Sequence, residues 1–81
     1  MEITQIKIEL KEYIEALLSP EIEITDNSTL EDMNVDSLAL VKLFVFIEKK
    51  FGVMLGEIGI RKENIATFGK ISELIFDNKK D

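Results

Sequence analysis

Apolar residues recur at helical spacing near the start of this 81-residue chain, between Glu2 and Leu18. One stripe of such a helix collects Ile3, Ile6, Leu10, Ile14 and Leu17. Ile8 falls outside the stripe, so we expect it to be exposed. Pro20 disfavours helical geometry in the residue before it. The pattern therefore predicts an amphipathic helix that ends near Ser19.

A second helix is predicted from Leu38 to Phe51, and it is apolar almost all round. Its broad face contains Leu40, Leu43, Phe44, Ile47 and Phe51. A smaller strip on the opposite side contains Leu38, Val41 and Val45. So small a domain is not expected to cover both faces. We predict that the broad face packs in the core and that the strip docks a partner; alternatively, the strip is ordinary exposed apolar surface.

The last third of the chain predicts a loop, a turn and a third long helix. Val53 to Ile60, with Gly56 and Gly59, has the composition of a loop, and Arg61 to Ile65 suits a short helical turn. Thr67 is a good N-cap for a helix from Phe68 to about Asn78. The inner face of that helix collects Phe68, Ile71, Leu74 and Ile75, and Phe76 lies off it.

Residues 19–35 form a long connection between the first two helices. Four spaced apolar residues are expected to fix it to the core, namely Ile22, Ile24, Leu30 and Met33. At its end, Asp36 or Ser37 is a natural N-cap for the second helix. The Ser37 hydroxyl should therefore lie near solvent at a helix start, where negative charge such as a phosphate ester is favoured.

Composition limits the functional classes. The chain has no cysteine and no histidine, which excludes Ser-His or Cys-His catalysis and zinc held by those residues, so we expect no enzyme activity. The net charge of −6 argues against nucleic-acid binding. Residues 1–37 hold ten acids and two bases, whereas residues 38–81 hold six acids and eight bases. We expect a single domain over residues 1–81, cytoplasmic and without a signal peptide or membrane insertion.

The segment from Met33 to Leu38 resembles the phosphopantetheine attachment motif of acyl carrier proteins: apolar, Gly or Asn, apolar, Asp, Ser, Leu. Later segments, Phe51 to Val53 and Glu63 to Thr67, resemble the second half of free-standing carriers. The resemblance implies an all-α four-helix bundle of three longer helices and one short helix, with a long loop between helices 1 and 2. It also implies covalent 4′-phosphopantetheine on Ser37, with Asp36 recognised during modification.

The same resemblance implies a monomeric carrier of acyl or aminoacyl thioesters for fatty acid, polyketide or related specialised biosynthesis. Its expected partners are a phosphopantetheinyl transferase, a loading enzyme and downstream transferases. Asp36 and Asp32 are expected to help hold Mg²⁺ during modification, with no metal in the resting protein. A different class, a helical interaction module in which Ser37 is only a cap, remains the alternative.

The second helix departs from the housekeeping fatty-acid carrier, whose equivalent helix is strongly acidic. Within this predicted helix, Glu48 is the only acid after Asp36. The run from Val41 to Val45 looks closer to D-alanyl and other aminoacyl carriers, which are therefore an alternative function. We predict a dedicated set of partners that contact Leu38, Val41, Lys42, Val45 and Lys49.

Overall fold

The computed structural model describes residues 1–79. The three stretches with helical spacing correspond to its three longer helices. The elements are α1 (Ile3–Leu18), α2 (Ser37–Phe51), α3 (Leu55–Ile58), a 3-10 helix (Lys62–Ile65) and α4 (Phe68–Asn78). The predicted all-α fold with three longer helices is confirmed; the predicted short helix is the 3-10 helix, and α3 is a further short helix. The α1–α2 loop, residues 19–36, is long, as expected.

Two helices end where local backbone preferences predict. Ser19 adopts the left-handed conformation with φ 45° directly before Pro20, and its amide donates to the Glu15 carbonyl at 3.0 Å. Gly52 ends α2 with φ 70° and donates to the Glu48 carbonyl at 3.1 Å. Glycine suits this position because a left-handed residue without a Cβ is not strained.

One apolar core joins the three longer helices. Its innermost side chains come from α1 (Ile6, Leu10, Ile14), α2 (Leu43, Ile47, Phe51) and α4 (Phe68, Ile71, Ile75). The stripes predicted for α1 and α4 are confirmed at these positions, whereas Ile3, Leu17 and Leu74 are only half-buried. Ile8 and Phe76 are exposed, as predicted.

The buried face of α2 is rotated from the predicted one. Ala39, not Leu40, shares the buried stripe with Leu43, Ile47 and Phe51. Leu40 and Phe44, predicted in the core face, pack against the core from its edge and are only half-buried. The small Ala39 side chain lets neighbouring elements approach α2 closely. Because α2 is apolar on most sides, its packing against those elements, and not its apolar pattern, determines which face is buried.

The α1–α2 loop is fixed by some of the predicted apolar residues. Ile24 and Met33 are buried and Leu30 is half-buried against the core. Ile22 is exposed, so its predicted anchoring role was wrong; an irregular segment lacks the periodicity that would show which side chains point inward.

The stretch from Val53 to Ile60, predicted as loop, contains α3. Val53 and Leu55 are buried in the core, and the Glu48 side chain accepts the Leu55 amide at 3.2 Å. A four-residue helix is too short to show a periodic pattern, and its supporting contact comes from another element. The turn predicted at Arg61 to Ile65 is present as the 3-10 helix.

Candidate functional site

The segment that leads into α2 is fixed before it reaches the serine. The Met33 side chain is fully buried, and its amide donates to the Thr29 carbonyl at 3.1 Å. Asn34 then adopts a left-handed conformation with φ 63°, which asparagine tolerates better than most residues. The Val35 amide donates to the Leu30 carbonyl at 2.8 Å. The chain therefore enters α2 from a defined turn.

Asp36 is the N-cap of α2. Its Oδ1 accepts the Ala39 amide at 2.8 Å, and its carbonyl accepts the Leu40 amide at 2.8 Å. Of the two caps that the sequence allows, the structure selects Asp36 and makes Ser37 the first helical residue. The amides of the first helical residues have no intrahelical partner by position. Ser37 is therefore exposed at the positive end of a helix.

Asp32, the second carboxylate expected near the serine, is engaged in a turn. Its Oδ2 accepts the Thr29 amide at 3.0 Å, and its own amide donates to the Thr29 hydroxyl at 3.1 Å. Within residues 1–79, no group of three or more acidic side chains is placed to hold a metal ion. A role for Asp32 or Asp36 with Mg²⁺ during modification stays a prediction.

The chain has four serines, all in the described part, and their surroundings differ. Ser28 is 4% exposed, and its hydroxyl accepts the Thr25 amide at 2.9 Å. Ser72 is fully buried and donates to the Phe68 carbonyl at 2.9 Å. Neither hydroxyl is accessible to an enzyme that modifies it.

Ser19 and Ser37 are both exposed, but they lie at opposite kinds of helix end. Ser19 follows the last residue of α1, where the helix dipole disfavours a phosphate, and its hydroxyl donates to the Glu15 carbonyl at 3.4 Å. Ser37 begins α2, and no hydrogen bond involves its side chain within residues 1–79. Ser37 is the serine whose hydroxyl is accessible and whose position favours an attached phosphate.

Comparison with known proteins identifies the family. The sequence model of the family described as "Phosphopantetheine attachment site" matches residues 9–75, which is more than half of the chain. The chain belongs to this family. Its cofactor is 4′-phosphopantetheine held covalently on a serine, so the chain is a phosphopantetheine-dependent carrier protein. No curated protein and no solved structure matches the chain significantly.

The outer strip of the carrier protein's α2 is exposed, as predicted. Leu38, Val41 and Val45 are 67%, 59% and 43% exposed. Val41 and Val45 line an open groove of about 480 Å³ between α1 and α2, together with Lys42 and Lys49. Four of the five residues predicted to contact partners are thus brought together there, and Leu38 lies outside the groove. Their role with partners stays a prediction.

Sequence reasoning missed the other residues of the carrier protein's groove: Tyr13, Phe46 and Lys50. The Tyr13 and Phe46 rings stack with centroids 4.0 Å apart, and the Tyr13 hydroxyl donates to the Lys42 carbonyl at 3.2 Å. At helical spacing Phe46 falls on the same side of α2 as Lys42, Lys49 and Lys50, which could have marked it as unusual. Its pairing with Tyr13 depends on how α1 packs on α2, which the sequence does not show.

An ion pair joins α1 to α2 beside the groove. Lys50 Nζ lies 3.0 Å from a carboxylate oxygen of Glu9, and the Gln5 amide donates to the other oxygen at 3.2 Å. The hydrogen bonds from Lys50 and Gln5 hold the pKa of Glu9 below its ordinary value. The carrier protein's groove thus has a fixed wall at this end.

No helix in residues 1–79 is both long and apolar enough to cross a bilayer.

Proposed function

We propose that Ser37 carries the 4′-phosphopantetheine of this carrier protein. We further propose that the protein presents acyl or aminoacyl groups to enzymes of fatty acid, polyketide or related specialised biosynthesis, as a cytoplasmic monomer without enzyme activity of its own. One observation carries the site assignment. Of the four serines, Ser37 is the one that is exposed at a helix N-terminus with a hydroxyl free of hydrogen bonds within residues 1–79.

The residues around Ser37 support the attachment in distinct ways. Asp36 holds the first turn of α2 in place through its bond to the Ala39 amide. The remaining amides at the helix start and the helix dipole stabilise the negative phosphate ester. When attached, the group supplies a flexible thiol that holds the cargo as a thioester.

The modification step defines what this chain contributes. The Ser37 Oγ forms a new bond to the phosphorus that bears the pantetheine of coenzyme A. The bond between that phosphorus and the adenosine bisphosphate oxygen breaks. We propose that a base on the transferase accepts the hydroxyl proton, because the chain has no histidine and one oxygen of the Asp36 carboxylate is engaged by the Ala39 amide. The carrier protein thus offers an accessible hydroxyl and a fixed helix start, while the transferase supplies the catalysis.

Intact-mass spectrometry tests the site. After incubation with coenzyme A and a phosphopantetheinyl transferase, the protein should gain the mass of one phosphopantetheine. Ser37→Ala should gain none, because no other exposed serine begins a helix. Ser19→Ala is the matched control and should be modified like the parent. Equal modification of Ser37→Ala and the parent would overturn the assignment.

We also propose that the outer strip of α2 docks partner enzymes. An enzyme that reaches Ser37 must approach this end of α2, and Val41 lies one helical turn beyond the serine, about 6 Å along the axis. Exposed apolar side chains there can supply affinity, while Lys42 and Lys49 set the approach. The complementary partner surface is an apolar notch with acidic residues around it.

Substitution of Val41 tests the docking strip. We expect Val41→Asp to remain folded, since Val41 is 59% exposed, and to be modified at least about tenfold more slowly, because a charge replaces an apolar contact. Ile8→Asp on α1, where Ile8 is 47% exposed, should be modified at the parent rate. Circular dichroism checks folding in both variants. Equal rates for the two variants, or unfolding of Val41→Asp, would contradict the proposal.

A D-alanyl or other aminoacyl cargo is the second candidate, and the basic surface of α2 favours it. The ammonium groups of Lys42 and Lys49 have no carboxylate partner within residues 1–79. This surface suits partners that differ from enzymes with basic docking patches. Loading of the modified protein by an adenylating enzyme with ATP and D-alanine would support this cargo. Loading by acyl transfer from an acyl-coenzyme A would support the first candidate.

A further inference from the structure

The groove between α1 and α2 has an aromatic floor that is held in place from two sides. The Tyr13 and Phe46 rings stack, and Phe46 meets the Phe51 ring edge-on with centroids 5.9 Å apart. Phe51 is buried in the core, and the Lys42 carbonyl accepts the Tyr13 hydroxyl at 3.2 Å. A partner that packs on these two rings therefore loses little affinity in ordering them.

Charged and apolar side chains alternate along the α2 side of the groove. Lys42 and Lys49 lie seven residues apart, which is two helical turns or about 10 Å along the axis. Val45 and Phe46 each lie about one turn from both lysines, so the order is lysine, apolar patch, lysine. The ammonium groups of Lys42 and Lys49 have no carboxylate partner within residues 1–79. Both positive charges are therefore available to a partner.

The α1 side of the same rings has the opposite charge. Glu9 and Glu12 line a neighbouring hollow to which Tyr13 and Phe46 also contribute. Glu9 is paired with Lys50, whereas Glu12 has no ion pair within residues 1–79. An anionic segment is thus attracted to the α2 side of the rings and repelled from the α1 side. This difference determines on which side of the rings such a segment lies.

We propose that the groove binds an acidic amphipathic helix of a partner protein. The helix packs an apolar side chain on Tyr13, Val45 and Phe46. Its carboxylates, two turns apart, pair with Lys42 and Lys49. The contact needs α1 as well as α2, and it does not need the arm on the attachment serine. The proposal rests on the proposed function in that the partner is an enzyme acting on the carried group.

A helix suits the groove better than a lipid surface does. Helices that bind in grooves place apolar anchors at i, i + 3, i + 4 and i + 7, and the two lysines match acids at i and i + 7. Tyr13 and Phe46 are half-buried. A flat bilayer would therefore meet the ends of Lys42 and Lys49 before it reached the rings, whereas a side chain of a helix can enter the groove.

Tyrosine emission tests the proposal on the whole unmodified protein. Tyr13 is the only tyrosine and the chain has no tryptophan, so it is the only emitter beside a peptide without aromatic residues. The probe is a helical peptide with glutamates at i and i + 7 and leucines at i + 3 and i + 4. Saturating peptide should lower the acrylamide quenching constant of Tyr13 at least about twofold, because anchor contacts are desolvated. An unchanged quenching constant would overturn the proposal.

Altered probes separate the contribution of charge from that of apolar contact. Lysines in place of the glutamates should abolish protection of Tyr13, and alanines in place of the leucines should weaken binding at least about tenfold. Binding of the glutamate peptide should also weaken when salt is raised from about 0.05 M to about 0.5 M, since salt screens exposed charges. Equal binding of the glutamate and lysine peptides would contradict the proposed charge selection.

Two pairs of variants locate the contact, with folding checked by circular dichroism. Lys49→Glu and Lys70→Glu both change the net charge from −6 to −8 (−6 − 2 = −8), but Lys70 lies on α4 outside the groove. Val45→Asp and Ile8→Asp add a charge at residues 43% and 47% exposed, inside and outside the groove. The groove variant of each pair should bind at least about tenfold more weakly, and its control like the parent. Equal binding within either pair would overturn the proposal.

Ser37→Ala separates this inference from the proposed function. It should bind the peptide like the parent although it accepts no arm, and loss of binding would overturn the groove proposal. Modification of Ser37→Ala by the transferase would instead contradict only the proposed attachment site. Protection of Tyr13 by anionic phosphatidylglycerol vesicles but not by the acidic peptide would overturn the groove proposal. So would dimerisation that protects Tyr13, because a second copy would then occupy the groove.

Discussion

The first turns of α2 and α4 are capped by the same kind of hydrogen bond but have different surroundings. At α2, the Asp36 carboxylate accepts the Ala39 amide at 2.8 Å. At α4, the Thr67 hydroxyl accepts the Lys70 amide at 3.2 Å. Both bonds run from an N-cap side chain to the amide three residues later. By capping alone, either helix start could stabilise a negative group.

The α1–α2 loop makes the difference. At α4, the Ser28 and Asp26 carbonyls accept the Phe68 and Gly69 amides at 2.8 and 2.9 Å, and both residues are buried. At α2, Ser37 and Leu38 are exposed. The loop therefore closes one helix start and leaves the other accessible. The start of α2 is therefore accessible to a modifying enzyme, whereas the start of α4 is not.

The largest loss of stability should come from a substitution that pushes the α1–α2 loop away from the start of α4. A Cβ built at Gly69 lies 2.9 Å from the Asp26 carbonyl oxygen, so Gly69→Ala must shift backbone. Overpacking costs about 1–3 kcal/mol, whereas alanine gains only about 0.5–1 kcal/mol over glycine in a helix. We expect a net loss of about 1–2 kcal/mol in the free energy of unfolding, measured by urea denaturation.

Gly56→Ala is the matched control, because nothing lies within 4 Å of a Cβ built at Gly56 in α3. It should leave stability unchanged or raise it by up to about 1 kcal/mol. If Gly69→Ala and Gly56→Ala had the same stability, the close approach of the loop to α4 would be refuted.

Removing the caps should have a smaller effect, and it should differ between the two helices. Cap removal costs about 0.5–2 kcal/mol. We expect Asp36→Ala to cost about 1 kcal/mol and Thr67→Ala about 0.5 kcal/mol, because the loop carbonyls still bind the first amides of α4. Hydrogen exchange should accelerate at the Ala39 amide more than at the Lys70 amide. The reverse order would show that the loop does not stabilise α4.

The smallest effect should come from the ion pair that tethers the closing loop to α1. Lys7 Nζ lies 3.1 Å from Asp26 Oδ1, and the Asp26 side chain is 61% exposed. Exposed pairs of this kind contribute about 0.2–1 kcal/mol and are screened by salt. Lys7→Gln should therefore cost less than about 0.5 kcal/mol at low salt and nothing measurable in molar salt. Lys11→Gln serves as control, since Lys11 is 3.9 Å from Glu23. A loss that persists in molar salt would contradict a screened surface pair.

The three longer helices could be predicted from the sequence, whereas the rotation of α2 and the presence of α3 could not. The bounds of α4 match the prediction and α1 begins one residue later, because both helices repeat one apolar stripe. The rotation of α2 was ambiguous, because its apolar residues surround the axis and Ala39 carries little hydrophobic signal. The four residues of α3 span about one turn, too few to form a pattern.

The proposed attachment site was more predictable than the groove because its geometry is local. The turn at Asn34, the cap at Asp36 and the exposure of Ser37 all arise within a few residues of one another. The groove joins Tyr13 of α1 to Phe46 of α2, residues far apart in the sequence. Their contact depends on helix packing, for which local spacing gives no information.

The uneven distribution of charge affects the electrostatic potential that a partner meets in solution. At physiological ionic strength, electrostatic interactions decay over a Debye length of about 8 Å. The protein measures 33 × 24 × 20 Å, so even its shortest dimension is more than twice that length. A partner that approaches Lys42 and Lys49, which have no carboxylate partner within residues 1–79, therefore responds mainly to the charges close to them. The net charge of −6 therefore does not describe what such a partner meets.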